Sequence, residues 1–541
     1  MKVLIIGGVA AGTKVAAKLK RENRDHEVTI LTTGKDISYA GCGLPYYVGG
    51  LIEDREELIV NTPKQFTELT GVKVMTETEV TKVNPDDKTV EAVDENTKET
   101  STYEYDKLVI ATGARPIRPP FPGIDLEGVF LMRTPEDAIK LRDELDKKEI
   151  KRVVIVGGGF IGLEVAENLV ERGVRVTVVD MADMVPPGFA PEFTDHIAEK
   201  LAEKGIMIFT GTKLESIIGE EKVEKIKTDK NTMKTDAVIL SIGVTANTGF
   251  VQDIGLDMMP NKTIKVNEYL ETNIEDIYSV GDCSTVTNRL TKEPAWSPMG
   301  STANIAGRIA AKNINGEKIS YVGVLGTGVA KLLPDFNIGR TGLTEVAARE
   351  AGYDVETVVT LVDDKAHYYP GASLFTVKMI ADRNTKQLLG VQALGEGAVD
   401  KMIDIGVVAI SMGASLEDIE QMDFAYAPPF STAIHPFANT ANVLLNKIEG
   451  CFESVTPLDF AAGKVDDYRI IDSSIVPLLG DHTYVDLNKV DEQMPDLEKD
   501  EKLLLVCSKG KRAYLLQNRL KHLGYKDVLV LEGGHILSNV K

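Results

Sequence analysis

The stretch "RVVIVGGGFIGLEVAENLVERGVRVTVVD", residues 152 to 180, constrains the fold more than any other part of the chain. A β-branched run enters three glycines, apolar residues then recur at helical spacing, and a second β-branched run ends on Asp180. Gly157, Gly159 and Gly162 stand in G-x-G-x-x-G register, which allows a tight turn and a close approach of the backbone to a pyrophosphate. The stretch therefore predicts a parallel βαβ unit with a nucleotide at the start of its helix.

The acid at the end of this unit indicates which nucleotide is bound. The carboxylate of Asp180 can accept hydrogen bonds from ribose hydroxyls, and it would repel a 2′-phosphate. Arg175 lies nearby in the sequence and could offset that repulsion. The pattern favours NADH over NADPH.

A second, less regular unit opens the chain in "KVLIIGGVAAGTKVAAKLK". Val9 stands where the second glycine is expected, and Thr32-Thr33 stand where the acid is expected. Two later strands also end at glycine: "YDKLVIATGARP" runs into Thr112-Gly113, and "ETNIEDIYSVGDC" runs into Gly281-Asp282. An aspartate at such a strand end can accept a hydrogen bond from a ribityl hydroxyl, which supports a second nucleotide site.

Composition limits the class of protein. At 541 residues the chain is long enough for several domains, and its 61 basic and 82 acidic side chains give a net charge of −21. This charge disfavours a nucleic acid or an anionic membrane as partner. We find no apolar stretch long enough to cross a bilayer and interpret the protein as cytoplasmic. The four cysteines form no C-x-x-C pair, and the seven histidines show no ligand spacing, so we expect no zinc site or other metal.

With these motifs in this order, residues 1 to 446 resemble the FAD-dependent pyridine nucleotide-disulfide reductases. "ATGARP" and "T-x8-GD" are similar to that family's flavin-contacting motifs, and "GGGFIGLE" is similar to its NAD-binding motif. The resemblance implies an α/β fold with two Rossmann-like domains. The two are an FAD-binding domain at 1–112 and 245–325 and an NADH-binding domain at 113–244. An α+β dimerisation domain follows at 326–446.

The same resemblance implies the residues that contact each cofactor. For FAD they are Gly7, Gly8, Gly12, Thr32, Thr33, Thr112, Gly113, Arg115, Gly281 and Asp282. For NADH they are Gly157, Gly159, Phe160, Ile161, Gly162, Asp180 and Gly243. Thr32 departs from the acid usual in the family, which affects the contact to the adenosine ribose. Glu164 could approach the nicotinamide, although a core-facing or helix-dipole role fits it equally well.

The stretch "SYAGCGLPYYVGG", residues 38 to 50, places Cys42 in a glycine-flanked loop with no second cysteine downstream in the loop. An internal disulfide therefore cannot form there. The stretch resembles the single-cysteine branch of the family: coenzyme A-disulfide reductases, coenzyme A-dependent persulfide or polysulfide reductases, and NADH oxidases and peroxidases. In these enzymes the cysteine cycles between a thiolate and a mixed disulfide or a sulfenic acid.

The end of the chain resembles a rhodanese domain, at 465–541 after a linker at 447–464. A buried strand leads to Cys507 in a loop that Arg512 closes at the start of an amphipathic helix, and "VLVLEGG" follows. Backbone amides at this helix start, together with Lys509, Lys511 and Arg512, would lower the thiol pKa and hold a persulfide. In "IIDSSIV", Asp472 is kept but the arginine usual in rhodaneses is absent, so transferase activity could be weakened or altered.

A single-cysteine flavoprotein fused to such a domain resembles the reductases of coenzyme A disulfide and of persulfides. This implies that coenzyme A is bound as substrate or cofactor and that a homodimer completes each site. The residues implied for coenzyme A and its thiol are Lys14, Lys18, Arg21, Ser38 and Asn304, and those reaching the partner subunit's cysteine are Tyr368 and Tyr426. His435 follows Ile434, near which family members often carry a lysine.

We therefore expect electrons to pass from NADH through flavin and Cys42 to a persulfide, a polysulfide or coenzyme A disulfide, with Cys507 relaying sulfur. Two alternatives stay open. One is an NADH oxidase or peroxidase in which Cys42 cycles through sulfenic acid. The other is a redox-responsive protein whose rhodanese-like module docks a sulfur-carrier protein. Cys283 is expected to be packed at a strand end, and Cys451 to be exposed near the linker.

Overall fold

The computed structural model describes residues 1–490, 497–538 and 540. Its strands, in chain order, are β1 (Lys2–Ile6), β2 (Glu27–Leu31), β3 (Lys73–Met75), β4 (Thr78–Asn84), β5 (Thr89–Asp94), β6 (Thr100–Glu104), β7 (Lys107–Ile110), β8 (Ala114–Pro116), β9 (Val129–Phe130), β10 (Arg152–Val156), β11 (Arg175–Val179), β12 (Ile206–Phe209), β13 (Leu214–Ile218), β14 (Lys225–Thr228), β15 (Thr232–Lys234), β16 (Ala237–Leu240), β17 (Val244–Ala246), β18 (Ile277–Ser279), β19 (Val286–Thr287), β20 (Pro294–Ala295), β21 (Gly328–Leu333), β22 (Phe336–Gly342), β23 (Val355–Asp363), β24 (Leu374–Asp382), β25 (Leu388–Gly395), β26 (Ser454–Val455), β27 (Arg469–Asp472), β28 (Thr483–Tyr484), β29 (Lys502–Val506) and β30 (Asp527–Leu531).

Helices connect these strands. The α-helices are α1 (Ala10–Glu22), α2 (Leu44–Gly49), α3 (Pro63–Thr70), α4 (Pro135–Asp146), α5 (Phe160–Glu171), α6 (Pro191–Glu203), α7 (Gly300–Ile314), α8 (Glu345–Glu350), α9 (Val399–Met412), α10 (Leu416–Glu420), α11 (Pro436–Ile448), α12 (Pro457–Ala461), α13 (Lys511–His522) and α14 (Gly534–Ser538). Short 3-10 helices cover Gly41–Gly43, Arg55–Leu58, Gly249–Val251 and Leu487–Lys489.

The first compact unit comprises Met1–Val185 and Lys204–Val324 and contains two parallel sheets of the same design. One has the strand order β18-β7-β1-β2-β3, and the other has the order β12-β11-β10-β16-β9. In each, the strand before the glycines lies in the middle and pairs in parallel with its neighbours on both sides. These central strands are buried almost throughout, as a parallel sheet covered on both faces requires.

Smaller antiparallel elements complete this unit. The sheet β4-β5-β6 follows the first βαβ unit, and the sheet β13-β14-β15 follows the second. The chain passes between the two domains twice, once near β8 and once near β17. These two strands pair with each other in antiparallel register, with Arg115 opposite Thr245. The FAD-type and NADH-type sheets therefore belong to one unit and are linked by a two-stranded ribbon.

The second compact unit comprises Pro186–Glu203 and Leu325–Lys541. Its larger sheet is antiparallel, in the order β21-β22-β25-β24-β23, and α9 and α11 pack on it. Helix α6 is fixed in this unit by the buried pair of Lys378 and Glu192, whose Nζ and Oε1 atoms are 2.8 Å apart. Burial alone would lower the pKa of Lys378, but Glu192 and Glu345 hold it above its ordinary value. Pro186–Glu203 thus clusters with the C-terminal residues, whereas we placed it inside the NADH-binding domain.

The C-terminal sheet is parallel, with the order β26-β30-β29-β27-β28. Residues 447–464, which we predicted as a linker, contain structured elements: β26 pairs with β30, and α12 follows. The predicted domain at 465–541 includes residues 491–496, 539 and 541, which lie outside the described residues. The predicted α/β class, with two Rossmann-like domains, an α+β domain and a C-terminal α/β module, is confirmed.

Among the residues that the structure describes, none of the helices is long and apolar enough to cross a membrane.

Candidate active site

The two glycine loops have nearly identical geometry. Gly7 and Gly157 have φ angles of 109° and 108°, in the left-handed region where a side chain is strained. A Cβ on Gly12 would lie 1.9 Å from the Gly7 carbonyl oxygen, and a Cβ on Gly162 would lie 2.1 Å from that of Gly157. Both helices can therefore approach their strands only because these positions are glycine. Each loop therefore leaves space beside the backbone at the start of its helix, where the pyrophosphate of a dinucleotide can bind.

The remaining NADH-type residues gather around the second loop. Asp180 directly follows β11, and its carboxylate accepts a hydrogen bond of 2.7 Å from the Gly158 amide. Phe160 and Ile161 form the first turn of α5, and Ile161 is exposed. Gly243 has a φ of 101° and its carbonyl binds the Ile117 amide next to the β8–β17 ribbon. This arrangement fits a pyridine nucleotide with its ribose at Asp180.

The FAD-type residues gather around the first loop in the corresponding way. Thr32 directly follows β2, and its methyl group would lie 3.3 Å from a Cβ on Gly8. Thr33 follows it at the same strand end. Thr32 thus occupies the place that Asp180 has in the other loop. A threonine hydroxyl can still bind a ribose oxygen, although it cannot supply the charge of a carboxylate.

Two neighbouring strand ends bring further flavin-type residues to this loop. β7 and β18 are adjacent in the sheet, so Thr112-Gly113 and Gly281-Asp282 both lie beyond its carboxyl edge. A Cβ on Gly281 would lie 3.0 Å from that of Ala11, at the start of α1. The Asp282 carboxylate binds the guanidinium of Arg133 at 2.6 Å, a partner that sequence reasoning missed. Arg115 lies in β8 and is exposed. These positions fit a flavin mononucleotide half extending from the glycine loop.

Cys42 lies in the 3-10 turn immediately before α2 and is exposed. Partial desolvation of its thiol and the negative charge of Glu164 raise its pKa, while Arg133 acts in the opposite direction. Just before the turn, the Ala40 amide donates to the Leu58 carbonyl at 2.7 Å, and the Ser38 amide donates to the Gly8 carbonyl at 3.0 Å. The cysteine loop is therefore fastened directly to the glycine loop.

Helix α2, which follows Cys42, is held by two arginines that sequence reasoning missed. Arg142 of α4 stacks over the Tyr47 ring at 4.4 Å and donates to the carbonyls of Tyr47, Ile52 and Glu53. Arg172, just after α5, donates to the carbonyl of Val48 at 2.8 Å. Their guanidinium groups satisfy carbonyls that a helix end leaves without partners. The segment behind Cys42 is thus fixed to the helices of the NADH-type domain.

The residues predicted for coenzyme A lie on two packed helices. α1 packs on α7, where a Cβ on Gly307 would lie 3.1 Å from the Cβ of Lys14. Lys18 is engaged in an ion pair with Glu22, one turn along α1, and this pairing reduces the positive charge it can offer to a phosphate. Arg21 and Asn304 are exposed. Ser38 has a positive φ of 50°, a conformation that is uncommon for serine.

Tyr368 and Tyr426 of the second unit come together although 57 residues separate them in the sequence. The neighbouring Tyr426 phenol raises the pKa of Tyr368. Both side chains are largely exposed, at 66% and 51%. Phe430 and Ile434 nearby in the chain are exposed as well. That the two tyrosines reach the partner subunit's cysteine stays a prediction.

Cys507 lies at the end of β29 and is buried. The Gly510 amide donates to its sulfur at 3.2 Å, and Gly510 has a φ of 90°, the left-handed turn that begins α13. Arg512 donates through Nε to the Ser473 carbonyl at 2.9 Å and lies 3.7 Å from Asp486. The loop therefore has the predicted shape, and Arg512 holds it against the neighbouring strand end.

The segment that follows β27, where the arginine usual in rhodaneses is absent, is held by hydrogen bonds to Asp472. Asp472 is buried and accepts hydrogen bonds from the amides of Ser474, Leu478 and Leu479. Burial alone would raise the pKa of this carboxyl, but hydrogen bonds from Ser474 and Leu478 hold it below its ordinary value. The retained aspartate thus organises the 473–479 segment, and Ser474 stands close to the place of the absent arginine.

Two acidic residues that sequence reasoning missed fasten the Cys507 module to the antiparallel sheet within the second unit. Asp363, at the end of β23, binds the Lys509 ammonium at 2.8 Å. Glu532 is buried and accepts from Lys447, from Ser454 and from the Val359 amide. The Lys509 charge that we expected to act at Cys507 is therefore shared with Asp363.

Three residues named in the sequence remain to be placed: Cys283, Cys451 and His435. Cys283 is buried and its thiol contacts the carbonyls of Ile110 and Val280, which agrees with a packing role. Cys451 is exposed. The His435 Nδ1 atom accepts the Phe437 amide, its ring stacks on Phe424, and burial lowers its pKa to about 4. His435 is therefore neutral near pH 7.

Comparison with protein families assigns each part of the chain. Residues 1–302 match the pyridine nucleotide-disulphide oxidoreductase family, and residues 332–438 match its dimerisation domain. Residues 460–535 match the rhodanese-like domain. The chain belongs to the pyridine nucleotide-disulphide oxidoreductase family. It is an enzyme of that class, and its two glycine cradles fit FAD and a pyridine nucleotide.

Two curated relatives cover the chain up to the rhodanese-like domain. A protein of Methanocaldococcus jannaschii named NADH oxidase is 36% identical over 83% of this chain and 99% of its own length. A protein of Pyrococcus furiosus named NAD(P)H sulfur oxidoreductase (CoA-dependent) is 37% identical over 82% of this chain and 99% of its own length. Both branches that the sequence left open thus occur among close relatives.

Two solved structures match nearly the whole chain. Reduced Bacillus anthracis CoADR-RHD has a TM-score of 0.95 at 30% identity and covers 100% of this chain and 98% of its own. An NAD-dependent persulfide reductase from A. fulgidus has a TM-score of 0.94 at 34% identity and covers 99% of this chain and 100% of its own. The predicted resemblance to reductase and rhodanese fusions is confirmed.

The position of Asp180 predicts the choice of nucleotide. We expect kcat/KM for NADH to exceed that for NADPH by at least about tenfold, because the carboxylate binds ribose hydroxyls and repels a 2′-phosphate. Asp180→Asn keeps the size but removes the charge, and should shift the ratio toward NADPH. Asp183→Asn, at an exposed acid three residues on, is the matched control. Equal or better use of NADPH by the unaltered enzyme would contradict the assignment.

Glu164 predicts a stability difference that depends on pH. Burial raises its pKa from 4.5 to about 7 in the folded protein. Folding therefore favours the protonated form, and this contribution is present below pH 4.5 and is lost as the pH rises through 7. Glu164→Gln should increase the free energy of unfolding at pH 8 by up to about 3 kcal/mol, and should have little effect at pH 4.5. Thermal melts at both pH values check the difference, and an equal shift at both would contradict it.

Proposed function

We propose that this enzyme uses NADH to reduce a sulfur–sulfur bond in a persulfide, a polysulfide or coenzyme A disulfide through Cys42, and that Cys507 relays sulfur. The observation that carries the proposal is the presence of two separate sulfur sites in one chain. Cys42 has no partner cysteine in its loop, and Cys507 receives an amide hydrogen bond in a rhodanese-like loop. An oxidase or peroxidase needs the first site but has no use for the second.

Bound FAD would couple hydride transfer from NADH to reduction of the sulfur–sulfur bond. The protein's own groups determine what reaches Cys42. Its exposed position in a glycine-flanked turn leaves room for a substrate sulfur, and Arg133 provides the positive influence that favours a thiolate. With no second cysteine available, the thiolate must form its mixed disulfide with the substrate itself.

Coenzyme A as substrate or cofactor belongs to this proposal. Lys14 and Arg21 offer cationic groups on α1 for its phosphates, and Ser38 and Asn304 offer polar groups for its arm. Lys18 is the weakest of the predicted contacts because Glu22 already pairs with it. The names of the Pyrococcus furiosus and Bacillus anthracis proteins support the assignment.

A homodimer also belongs to the proposal. The chain carries the family's dimerisation domain, and Tyr368 and Tyr426 are neighbouring, exposed phenols in it. Such phenols are suited to donate hydrogen bonds to a sulfur anion at the partner's site. We infer that each complete site combines Cys42 of one subunit with this tyrosine pair of the other. A sulfur-carrier protein, if it participates, would load sulfur at Cys507.

Oxidation of NADH with matched acceptors tests the proposal. Under anaerobic conditions, polysulfide, coenzyme A persulfide and coenzyme A disulfide should each be offered in turn. Sulfide release from polysulfide or coenzyme A persulfide should equal NADH consumed, and coenzyme A disulfide should release two thiols for each NADH. In a parallel assay without sulfur acceptors, oxygen and hydrogen peroxide are offered. Fast turnover with oxygen or peroxide and none with any sulfur acceptor would favour the NADH oxidase alternative. Slow reduction and no repeated turnover with any acceptor would favour a redox-responsive binding protein.

A further inference from the structure

Glu532 belongs to the C-terminal module, yet its carboxylate binds the antiparallel layer of the same unit. The side chain is fully buried. One of its oxygens accepts the Val359 amide of β23 at 2.8 Å. The other accepts the Lys447 ammonium of α11 and the Ser454 hydroxyl, each at 2.6 Å. Two of these three donors belong to the antiparallel sheet and its helix, so Glu532 attaches the module to that layer.

Lys447 shows how strongly this attachment is held. Its ammonium is largely buried, donates to the Thr357 carbonyl at 2.9 Å and lies 3.3 Å from Glu356. Burial alone would lower the pKa of Lys447, but Glu532 and Glu356 hold it above its ordinary value. A buried charge is costly when its counter-charge is removed. Glu532 and Lys447 therefore hold each other in place.

The two glycines that follow this carboxylate lie against the Cys507 loop. Gly533 and Gly534 have φ angles of 68° and 65°. A Cβ on Gly534 would lie 2.2 Å from the Cys507 carbonyl oxygen, and the His535 amide donates to the same oxygen at 2.9 Å. A Cβ on Gly510 would lie 3.9 Å from the Gly533 nitrogen. The glycine pair thus contacts the cysteine's carbonyl and approaches the residue whose amide donates to its sulfur.

The loop also contacts the antiparallel sheet directly. The Lys509 ammonium pairs with Asp363, four residues beyond Val359 on the same strand, β23. Of the other cations in the loop, Lys511 is exposed, and Arg512 donates to a main-chain carbonyl. One strand therefore holds the Cys507 loop at two places, through a buried carboxylate and through an ion pair.

We propose that Glu532 is a positioning residue for Cys507: bound to β23 and α11, it fixes the glycine pair against the Cys507 carbonyl and so keeps the Gly510 amide at the sulfur. The inference rests on the proposed function, because it assigns this contact a role in sulfur transfer at Cys507. That transfer is redox-neutral: RS–S⁻ + Cys507–SH → RSH + Cys507–S–S⁻. The donor's S–S bond breaks, the thiol proton passes to the leaving RS⁻, and an amide at the sulfur favours both the attacking thiolate and the persulfide anion.

Two variants of the full-length holoenzyme test this role. Glu532→Gln keeps the shape and removes the charge, and Ser454→Ala removes one donor without leaving a charge unpaired. The control is Lys526→Met, which removes an exposed ion pair with Asp500 on the same module. Glutathione persulfide is the sulfur donor, cyanide is the acceptor, and Cys507→Ser gives the background. Thiocyanate formation in this assay needs neither NADH nor flavin.

The rate of thiocyanate formation should fall about tenfold in Glu532→Gln and about two- to threefold in Ser454→Ala, and should not change in Lys526→Met. Reduction of the flavin by NADH should stay within about twofold in all three, which reports that the reductase part is folded. If Glu532→Gln does not fold, Ser454→Ala decides with the same measurements.

The pH dependence of iodoacetamide reaction at Cys507, followed on its peptide by mass spectrometry, separates positioning from other roles. The midpoint should move to higher pH by about 0.5 to 1 unit in Glu532→Gln, because the thiolate loses its amide. Removal of a negative charge alone would move it to lower pH, and that result would overturn the proposal. So would an unchanged midpoint with unchanged thiocyanate formation, even in a variant that melts at a lower temperature. If the unaltered enzyme forms no thiocyanate above background, the proposed sulfur relay fails, and the midpoint alone then decides whether Glu532 positions Cys507.

Discussion

Cys42→Ser should retain bound FAD and accept electrons from NADH, yet lose turnover with sulfur acceptors by at least about 1000-fold. A hydroxyl cannot form the mixed disulfide, whereas the cofactor cradles are built by Gly7, Gly12, Gly157 and Gly162, which the substitution does not touch. Flavin absorbance, stopped-flow reduction by NADH and steady-state turnover measure the three steps separately.

The matched control for this variant is Cys451→Ser, which replaces an exposed cysteine far from the glycine loops in sequence. It should behave as the unaltered enzyme in all three measurements. Full sulfur-acceptor activity in Cys42→Ser would remove Cys42 from the reaction. Loss of bound flavin would instead give the cysteine loop a structural role in the FAD site.

Cys507→Ser should separate two activities. Reduction of a small diffusible disulfide needs only Cys42 and should stay within about twofold of the unaltered enzyme. Reduction of a substrate whose sulfur must pass through the rhodanese-like loop should fall at least about tenfold, because the serine hydroxyl cannot carry sulfur. Parallel kinetics with coenzyme A disulfide and with a persulfide donor measure the difference.

A structural effect of this substitution can be recognised with Asp363→Asn. That variant removes the charge that pairs with Lys509 and leaves Cys507 and Lys509 in place. If Cys507→Ser lowers both activities together, the domain has a structural role in the reductase. If it lowers neither, the module no longer carries sulfur, and the absent arginine near Ser474 would be the sign of that loss.

The local parts of the site could be predicted from the sequence because they depend on neighbouring residues. The glycine spacing determines how closely a helix can approach its strand, and both loops have that geometry. Asp180 follows its strand directly, so its place beside the second loop follows from the βαβ path. The Cys507 loop is equally local, since the strand, the Gly510 turn and α13 are consecutive.

The contacts that could not be predicted join distant parts of the chain. Nothing in the sequence pairs Arg133 with Asp282, or Lys509 with Asp363, because each pair depends on how separate elements pack. Tyr46 lies four residues after Cys42, and Glu164 lies in the NADH-type motif, yet only the packing of α2 on α5 brings them together. A buried or half-buried charge is rarely recognisable before its partner is known.

The central claim is that electrons leave the enzyme through a covalent bond between Cys42 and a substrate sulfur. Mass spectrometry of Cys42 peptides tests it directly, after the oxidised enzyme is incubated with coenzyme A disulfide or polysulfide and quenched before NADH is added. We predict an added mass of coenzyme A or of sulfur at Cys42 that disappears when NADH is supplied. An unmodified Cys42 in all conditions, or a sulfenic acid formed only with oxygen or peroxide, would contradict the claim.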